Sequence, residues 1–420
     1  MDPSRYLVTT LAAAVTIVVT VVSLNVSVDP LGSFGTPPLA GLGDLKPEML
    51  DREREAKLTS PALAQARSLI LGTSRAAIGL DPDALDELLP GAYNLAFGAQ
   101  SLHETRLILD ALGPRLAGRP VALGLDFFAA NAAFERDAGT TDRILALPRW
   151  RALAGIALSL DTAIASLATI AGHDRATFIA SGREVTGRGH WRWNASYVAS
   201  RGGPARMFAE SEAAYAGEFY FPPPSRRFAW RQGGRDTCED LRAIFRAARV
   251  YDIRLAAFVS PSHARQWEVV DALGLWTEFE RFKRTIAAAN EIAAEGGAPF
   301  AVLDFAGHFA ETSAPAPDGA GELLASHWDS SHYREALGTI ALQRSVSALV
   351  APPGSFGAIL DSRTMDTHLE RLRVLRARWR TAHPGEHASV LARALGKRPA
   401  SAVAIPPPDG EACAAATGGP

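Results

Sequence analysis

The sequence predicts an α/β protein built on about five parallel strands and tethered by one N-terminal transmembrane helix. Three observations carry this reading. Leu7 to Val28 contains no charged residue. Downstream, short apolar runs alternate with stretches of helical spacing, the pattern of βαβ units. Those runs are continuous rather than alternating, as expected of strands buried on both faces of a parallel sheet. With 420 residues and 47% hydrophobic composition, the chain can bury a sizeable core.

A helix of about 20 residues crosses a hydrocarbon layer of roughly 30 Å, so residues 1–28 are assigned to a membrane anchor. The apolar run exceeds the core of a secretory signal, about 7–15 residues, and its exit from Ser23 to Pro30 offers no Ala-x-Ala cleavage pattern. A cleaved signal is the alternative, and both readings export the rest of the chain. Asp2 and Arg5 nearly cancel, so charge alone does not set the orientation. Ala152 to Ala171 is the next most apolar stretch. Asp161 and the flanking Arg149, Arg151 and His173 make it a buried or amphipathic helix rather than a second span.

Residues 29–65 read as a linker, rich in Pro and Gly from Asp29 to Gly43. The main domain is placed at 66–350. Its first strand is Ser68 to Gly72 and its second is Ala92 to Phe97. Ser101 to Leu112 has helical spacing and stops at Gly113-Pro114, after which Val121 to Phe127 forms the third strand. Arg254 to Val259, ended by Ser260-Pro261, and Phe300 to Phe305 are the fourth and fifth. An insertion from about Asn131 to Asp252 interrupts the alternation. It is helical and Ala-rich first, then irregular and aromatic, with Trp191, Trp193, Tyr197, Tyr215, Phe219, Tyr220, Phe221 and Trp230. Residues 351–420 contain a basic helix with Arg371, Arg373, Arg376, Arg378 and Arg380, read as a solvated face, and a Pro/Ala/Gly-rich end.

Composition excludes several functions. The chain has 43 Lys plus Arg against 45 Asp plus Glu, so its balanced charge gives no footprint for nucleic acid. Only Lys46, Lys57, Lys283 and Lys397 are lysines, an Arg- and Ala-rich usage that points to a GC-rich bacterial genome. Cys238 and Cys413 cannot make a disulfide framework and lie in no cluster of zinc-site spacing, so neither a metal nor another cofactor is expected.

Ligands of open parallel sheets collect beyond the C-terminal strand ends, and Ser74 follows the first strand directly in Gly72-Thr73-Ser74-Arg75. A serine hydroxyl needs an imidazole to take its proton and a carboxylate to hold that imidazole. Asp329 and His332, three residues apart, can supply both from one loop. A structural alternative is that Asp329 caps a helix starting near Ser331 and Ser74 lies at a helix start. His327 makes a metal cluster with Asp329 and His332 conceivable, but no further ligand pattern accompanies it. His263, after the fourth strand, is a rival base without a carboxylate at short spacing. His103 and Glu104 stand at a helix start.

The order of these blocks resembles the Ser-Gly-Asn-His (SGNH, GDSL-like) hydrolase superfamily. Gly72-Thr73-Ser74 is similar to its nucleophile block, Asn94 to Ser101 to its glycine block through Gly98, and Asp329 to His332, followed by Gly338, to its final Asp-x-x-His block. The resemblance covers roughly Ala66 to Ala348. It implies a flavodoxin-like three-layer α/β/α domain, with Ser74, Asp329 and His332 as the triad. It also implies an oxyanion hole from the backbone N–H groups of Ser74 and Gly98, supported by Asn94. One block departs: where the family carries Gly-x-Asn, this chain reads Gly124-Leu125-Asp126. An ionised aspartate would repel an oxyanion, so Asp126 is expected to hold Arg75, cap a loop or orient a substrate hydroxyl.

With its membrane helix, the chain looks like the anchored SGNH-like branch of cell-envelope decoration, which includes proteins of alginate O-acetylation and teichoic acid D-alanylation. The resemblance implies a single-pass protein of the bacterial inner membrane whose periplasmic domain transfers an acyl group, acetyl by analogy, to a glycan hydroxyl. A multi-spanning membrane acyltransferase would be the donor partner. A cleft lined by Asp126, Arg75, His263, Trp191 and Trp193, with the insertion as one wall, would hold the acceptor. The rival readings are an anchored esterase or deacetylase with water as acceptor, and an inactive envelope scaffold.

Overall fold

The computed structural model describes residues 3–38, 43–134, 138–319, 322–347 and 351–405. Among them, six strands form the main sheet: β1 (Ser68–Leu71), β2 (Ala92–Asn94), β3 (Pro120–Leu125), β4 (Arg254–Val259), β5 (Leu303–Asp304) and β6 (Ala358–Ile359). Their order is β2-β1-β3-β4-β5-β6, with the first five pairing in parallel and β6 antiparallel to β5. The protein is therefore α/β with a mixed, mostly parallel sheet. β6 lies in the stretch that the sequence reading left as tail, because two residues show no periodicity.

Continuous apolar composition is matched by burial: Leu69, Ile70 and Leu71 of β1 and Val121 to Leu125 of β3 are all shielded. The chain leaves β1 towards β2 on one side while β3 lies on the other. That reversal opens a crevice at the C-terminal strand ends. Gly72 stands at this point with φ +139°, and a Cβ there would lie 2.9 Å from the Gly124 carbonyl oxygen, so only glycine lets the turn into Thr73-Ser74 pass so close to β3.

The helix Ser74–Gly79 packs against the helix Glu335–Val346. The two backbones meet at glycines: a Cβ on Gly338 would fall 1.9 Å from the Gly79 carbonyl oxygen, and one on Gly79 would fall 2.0 Å from the buried Tyr333 ring. Elsewhere the helices Leu102–Leu112, Thr237–Val250 and Trp276–Ala293 pack in succession.

Three stretches differ from expectation. The segment read as a linker holds the helix Glu53–Thr59, whose Lys57 is fully buried, paired with Glu53 and bonded to the Ala96 carbonyl. A buried lysine is hard to foresee because its partners come from distant sequence. The basic helix is Met365–Ala382, and three of its five arginines are paired across to other helices, Arg373 with Glu280, Arg376 with Asp271 and Arg380 with Glu268, while Arg371 and Arg378 are exposed. Beyond the following helix Pro384–Lys397, Val403–Ile405 pairs in parallel with Arg227–Ala229 of the insertion. The Pro/Ala/Gly-rich end and Cys413 lie outside the described residues. Within the insertion, Tyr215, Tyr220, Phe221 and Trp230 are core residues rather than a surface platform.

The first helix, Pro3–Val28, is 26 residues long with mean hydropathy 2.4 over its most apolar window, and so is long and apolar enough to cross a membrane. It is exposed from Pro3 to Thr20 and meets protein only near its end, where Asn25 is buried.

Alanine inside a helix is ordinarily better than glycine by about 1 kcal/mol. At Gly338 the sign should reverse, because a Cβ meets backbone that cannot give way. Gly338→Ala is expected to lower the unfolding free energy by about 2 kcal/mol or more, measured by denaturant titration in detergent. A stabilised variant would contradict the close crossing.

Candidate active site

Thr73 starts the helix that presents Ser74: its hydroxyl accepts the Arg75 N–H at 3.3 Å. Ser74 is thereby set at the first turn, at the mouth of the crevice. His332 arrives from a short loop closed by the Trp328 N–H donating to the His332 carbonyl at 2.9 Å. Ser74 Oγ lies 2.9 Å from His332 Nε2, and His332 Nδ1 lies 2.8 Å from Asp329 Oδ2. Ser74 and His332, 258 positions apart in the chain, are thus brought together with Asp329 in a continuous chain of hydrogen bonds.

Asp329 does two jobs with its two oxygens. Oδ1 accepts the backbone N–H groups of Ser331 at 2.7 Å and His332 at 2.8 Å, which fixes the loop, while Oδ2 holds the ring. The structural and catalytic readings of this residue are therefore compatible, although the helix begins at Glu335 and not near Ser331. Burial would raise the Asp329 carboxyl, but the adjacent His332 ring and the two N–H donors outweigh it and hold the carboxyl below its ordinary range. With Nδ1 donating to Asp329, Nε2 is the acceptor for the Ser74 hydroxyl proton.

A cavity of ≈ 570 Å³ opens beside the pair, lined by Ser74, His332, Gly98, Ala99, Trp191, Phe219 and the segment Leu50 to Glu55. Trp191 forms a wall and donates its indole N–H to the Gly182 carbonyl. Trp193 is buried and packs on the His332 ring with centroids 4.9 Å apart.

Other expected residues lie elsewhere. Asp126 and Arg75 are buried beneath the site instead of lining it. Asp126 Oδ1 accepts from Arg75 Nη1 at 2.7 Å and Oδ2 from the Thr73 hydroxyl at 2.6 Å. The carboxylate at this position answers a buried guanidinium. His263 is not a base in the cleft: it caps the helix Ala264–Ala272 through Nδ1 and bonds the Ala314 carbonyl through Nε2 at 2.7 Å, and burial holds its pKa well below 6.5. His327 is pushed down to about 4 by burial and bonds Ser326 and the Pro261 carbonyl. Among the described residues no group of His, Cys, Asp and Glu could hold a metal ion. Asn94 is a scaffold residue, its amide donating to the Ala76 and Leu80 carbonyls. His103 faces Asp240, and Glu104 pairs with Arg54 and caps its own helix.

Gly98 departs most from expectation. Its N–H, assigned to an oxyanion, donates to Glu53 Oε2 at 2.7 Å. Glu53, whose other oxygen is 2.9 Å from the Lys57 ammonium, lines the same cavity. No motif marks Glu53 or Lys57. The available sequence signal is the charged run Arg52 to Lys57, separated from the first strand by the short helix Pro61–Gln65. No family model, curated protein or solved structure matches this chain.

Asp126→Asn keeps the size of the side chain but leaves Arg75 buried without its counter-charge. It is expected to cost about 3–5 kcal/mol in unfolding free energy. Unchanged stability would refute the assigned ion pair.

Proposed function

We propose that the chain is a membrane-anchored serine O-acyltransferase of SGNH-like design, which moves an acyl group, acetyl in the simplest case, onto a hydroxyl of an envelope glycan outside the bacterial inner membrane. The observation that carries this reading is the Ser74–His332–Asp329 relay beside a cavity at the strand ends. The strand order β2-β1-β3-β4-β5 is that of flavodoxin-like domains and supports the SGNH assignment. The apolar first helix supports the anchor, and the charged rim with Trp191 suits a polyhydroxylated acceptor.

In this mechanism His332 Nε2 takes the Ser74 proton as Oγ attacks the acyl carbonyl, while Asp329 stabilises the imidazolium. Collapse of the tetrahedral intermediate breaks the bond to the donor oxygen, which leaves with the proton from His332. The acceptor hydroxyl then gives its proton to His332 and attacks the acyl-Ser74 carbonyl, and the bond to Ser74 Oγ breaks as His332 returns that proton to it. The oxyanion would meet the Ser74 N–H and, once the Glu53 carboxylate has yielded it, the Gly98 N–H. A partner bringing the donor, such as a multi-spanning acyltransferase, would load the site. Water in place of the glycan hydroxyl would make the same relay an esterase.

With a chromogenic acetyl ester, Ser74→Ala and His332→Ala are each expected to lower turnover at least about 10³-fold. Retained cleavage in either variant would defeat the relay. Glycan acetylation in cells carrying Ser74→Ala tests transfer itself and should be lost; its survival would favour the inactive scaffold.

Removing both charges of the Glu53–Lys57 pair avoids leaving one buried alone and frees the Gly98 N–H. Glu53→Ala/Lys57→Met is expected to raise acetyl-ester turnover about 10-fold or more, since one oxyanion donor is commonly worth about 10²–10³ in rate. A fall in turnover by a folded double variant would mean that Gly98 is not a donor to the reacting centre.

A further inference from the structure

Ala152 to Ala171 is broken at Ser159 into two helices, Arg149–Leu158 and Leu160–Ala171, which meet at 67°. Both pack on the end of the first helix. Asn25 fastens them there: its amide donates to the Ala157 and Ser159 carbonyls at 2.9 Å, and its carbonyl oxygen accepts from Ser166 Oγ at 3.2 Å.

The second helix is turned inside out. Its protein-facing side is Thr162, Ser166 and Thr169 with Ala165, all buried, whereas Leu160, Ile164 and Leu167 point outward, Ile164 at 66% and Leu167 at 58% exposure. A helix bathed in water shows the opposite arrangement. The first helix of the pair continues the face with Leu158 and with Trp150, on whose ring Arg151 lies 5.1 Å from the centroid. An aromatic ring and an arginine beside an apolar stripe suit the level of lipid headgroups.

We propose that this bent pair, residues 149–171, is a second membrane contact, lying in the bilayer interface beside the N-terminal helix with Leu158, Leu160, Ile164 and Leu167 in contact with acyl chains. The occupant is lipid because the pair packs on the end of a helix that is exposed and apolar from Tyr6 to Val19, and because Thr162, Ser166 and Thr169 are turned away from the apolar face. The pair also touches the cavity rim: Arg52 Nη1 donates to Thr162 Oγ1 at 3.2 Å, and Arg52 lines the cavity. Seating the pair in the interface therefore fixes the cavity close to the membrane surface, where a membrane partner or lipid-linked donor is presented. The inference requires the N-terminal helix to lie in a bilayer, but not the acyl-transfer chemistry.

The full chain, carrying the photo-crosslinker p-benzoylphenylalanine singly in place of Val15, Ile164, Leu167 or Val374, would be reconstituted into phosphatidylethanolamine/phosphatidylglycerol vesicles, irradiated and weighed. Lipid adducts are expected at Val15, Ile164 and Leu167 in comparable yield, and none at Val374, exposed on the helix after β6 at the far sheet edge. An adduct at Val15 with none at Ile164 and Leu167 would overturn the second contact alone. Absence at Val15 as well would overturn the anchor and the contact together. Crosslinks at Ile164 and Leu167 to a protein instead of lipid in native membranes would assign the face to a protein partner and refute lipid as its occupant.

Discussion

The site depends on one buried guanidinium. Arg75 follows the nucleophile candidate in sequence, and its Nη1 donates to Asp126 at the end of β3 while its Nε donates to Ser331 Oγ at 2.9 Å, one residue before His332. Its charge also lies over the rings of Phe128 and Tyr215. Three pieces of chain that share no local sequence are thereby held at one point. A buried ion pair adds little net stability over an apolar replacement, yet it is costly to break. Here it fixes the separation of the helix bearing Ser74 from the loop bearing His332. The Gly79–Gly338 crossing supplies a second restraint behind it, and Ser331 is itself held by donating to the Tyr215 hydroxyl at 2.7 Å.

That rigidity contrasts with the surroundings of Gly98. The aligned Ser74–His332 pair stands beside an N–H already satisfied by the Glu53 carboxylate. A carboxylate there would oppose an oxyanion in a low-dielectric cavity, so the proposed acyl transfer requires Glu53 to be displaced before Gly98 can act as a donor. Arg52, the neighbour of Glu53, is bonded to Thr162 of the helix Leu160–Ala171, which packs on the end of the first helix. If that helix pair meets lipid as proposed, membrane contact and the state of the site share a structural route.

Much of this was legible in the sequence, for identifiable reasons. The parallel strands announce themselves because both faces are buried, and Ser74 and the Asp329–His332 pair stand at strand ends or in a short loop where local spacing is informative. The role of Asp126 was readable only as a set of options, because its partners Arg75 and Thr73 lie 51 and 53 residues away. Glu53 and Lys57 were invisible for the same reason, their meaning depending on Gly98 and Ala96. His263 has a strand-end position that favours a ligand site in general, but helix capping and the Ala314 carbonyl engage both of its ring nitrogens. The aromatic run of the insertion divided between core and cavity according to packing that composition does not encode.

The proposed acylation of Ser74 can be read directly by exposing the full-length protein to an activated acetyl ester, quenching within the first turnovers and examining the Ser74 peptide by mass spectrometry. One acetyl group on Ser74 that disappears when a polyhydroxylated acceptor is added is expected, with no such label in His332→Ala. Acetylation confined to other residues, or a Ser74 label unaffected by loss of His332, would contradict it.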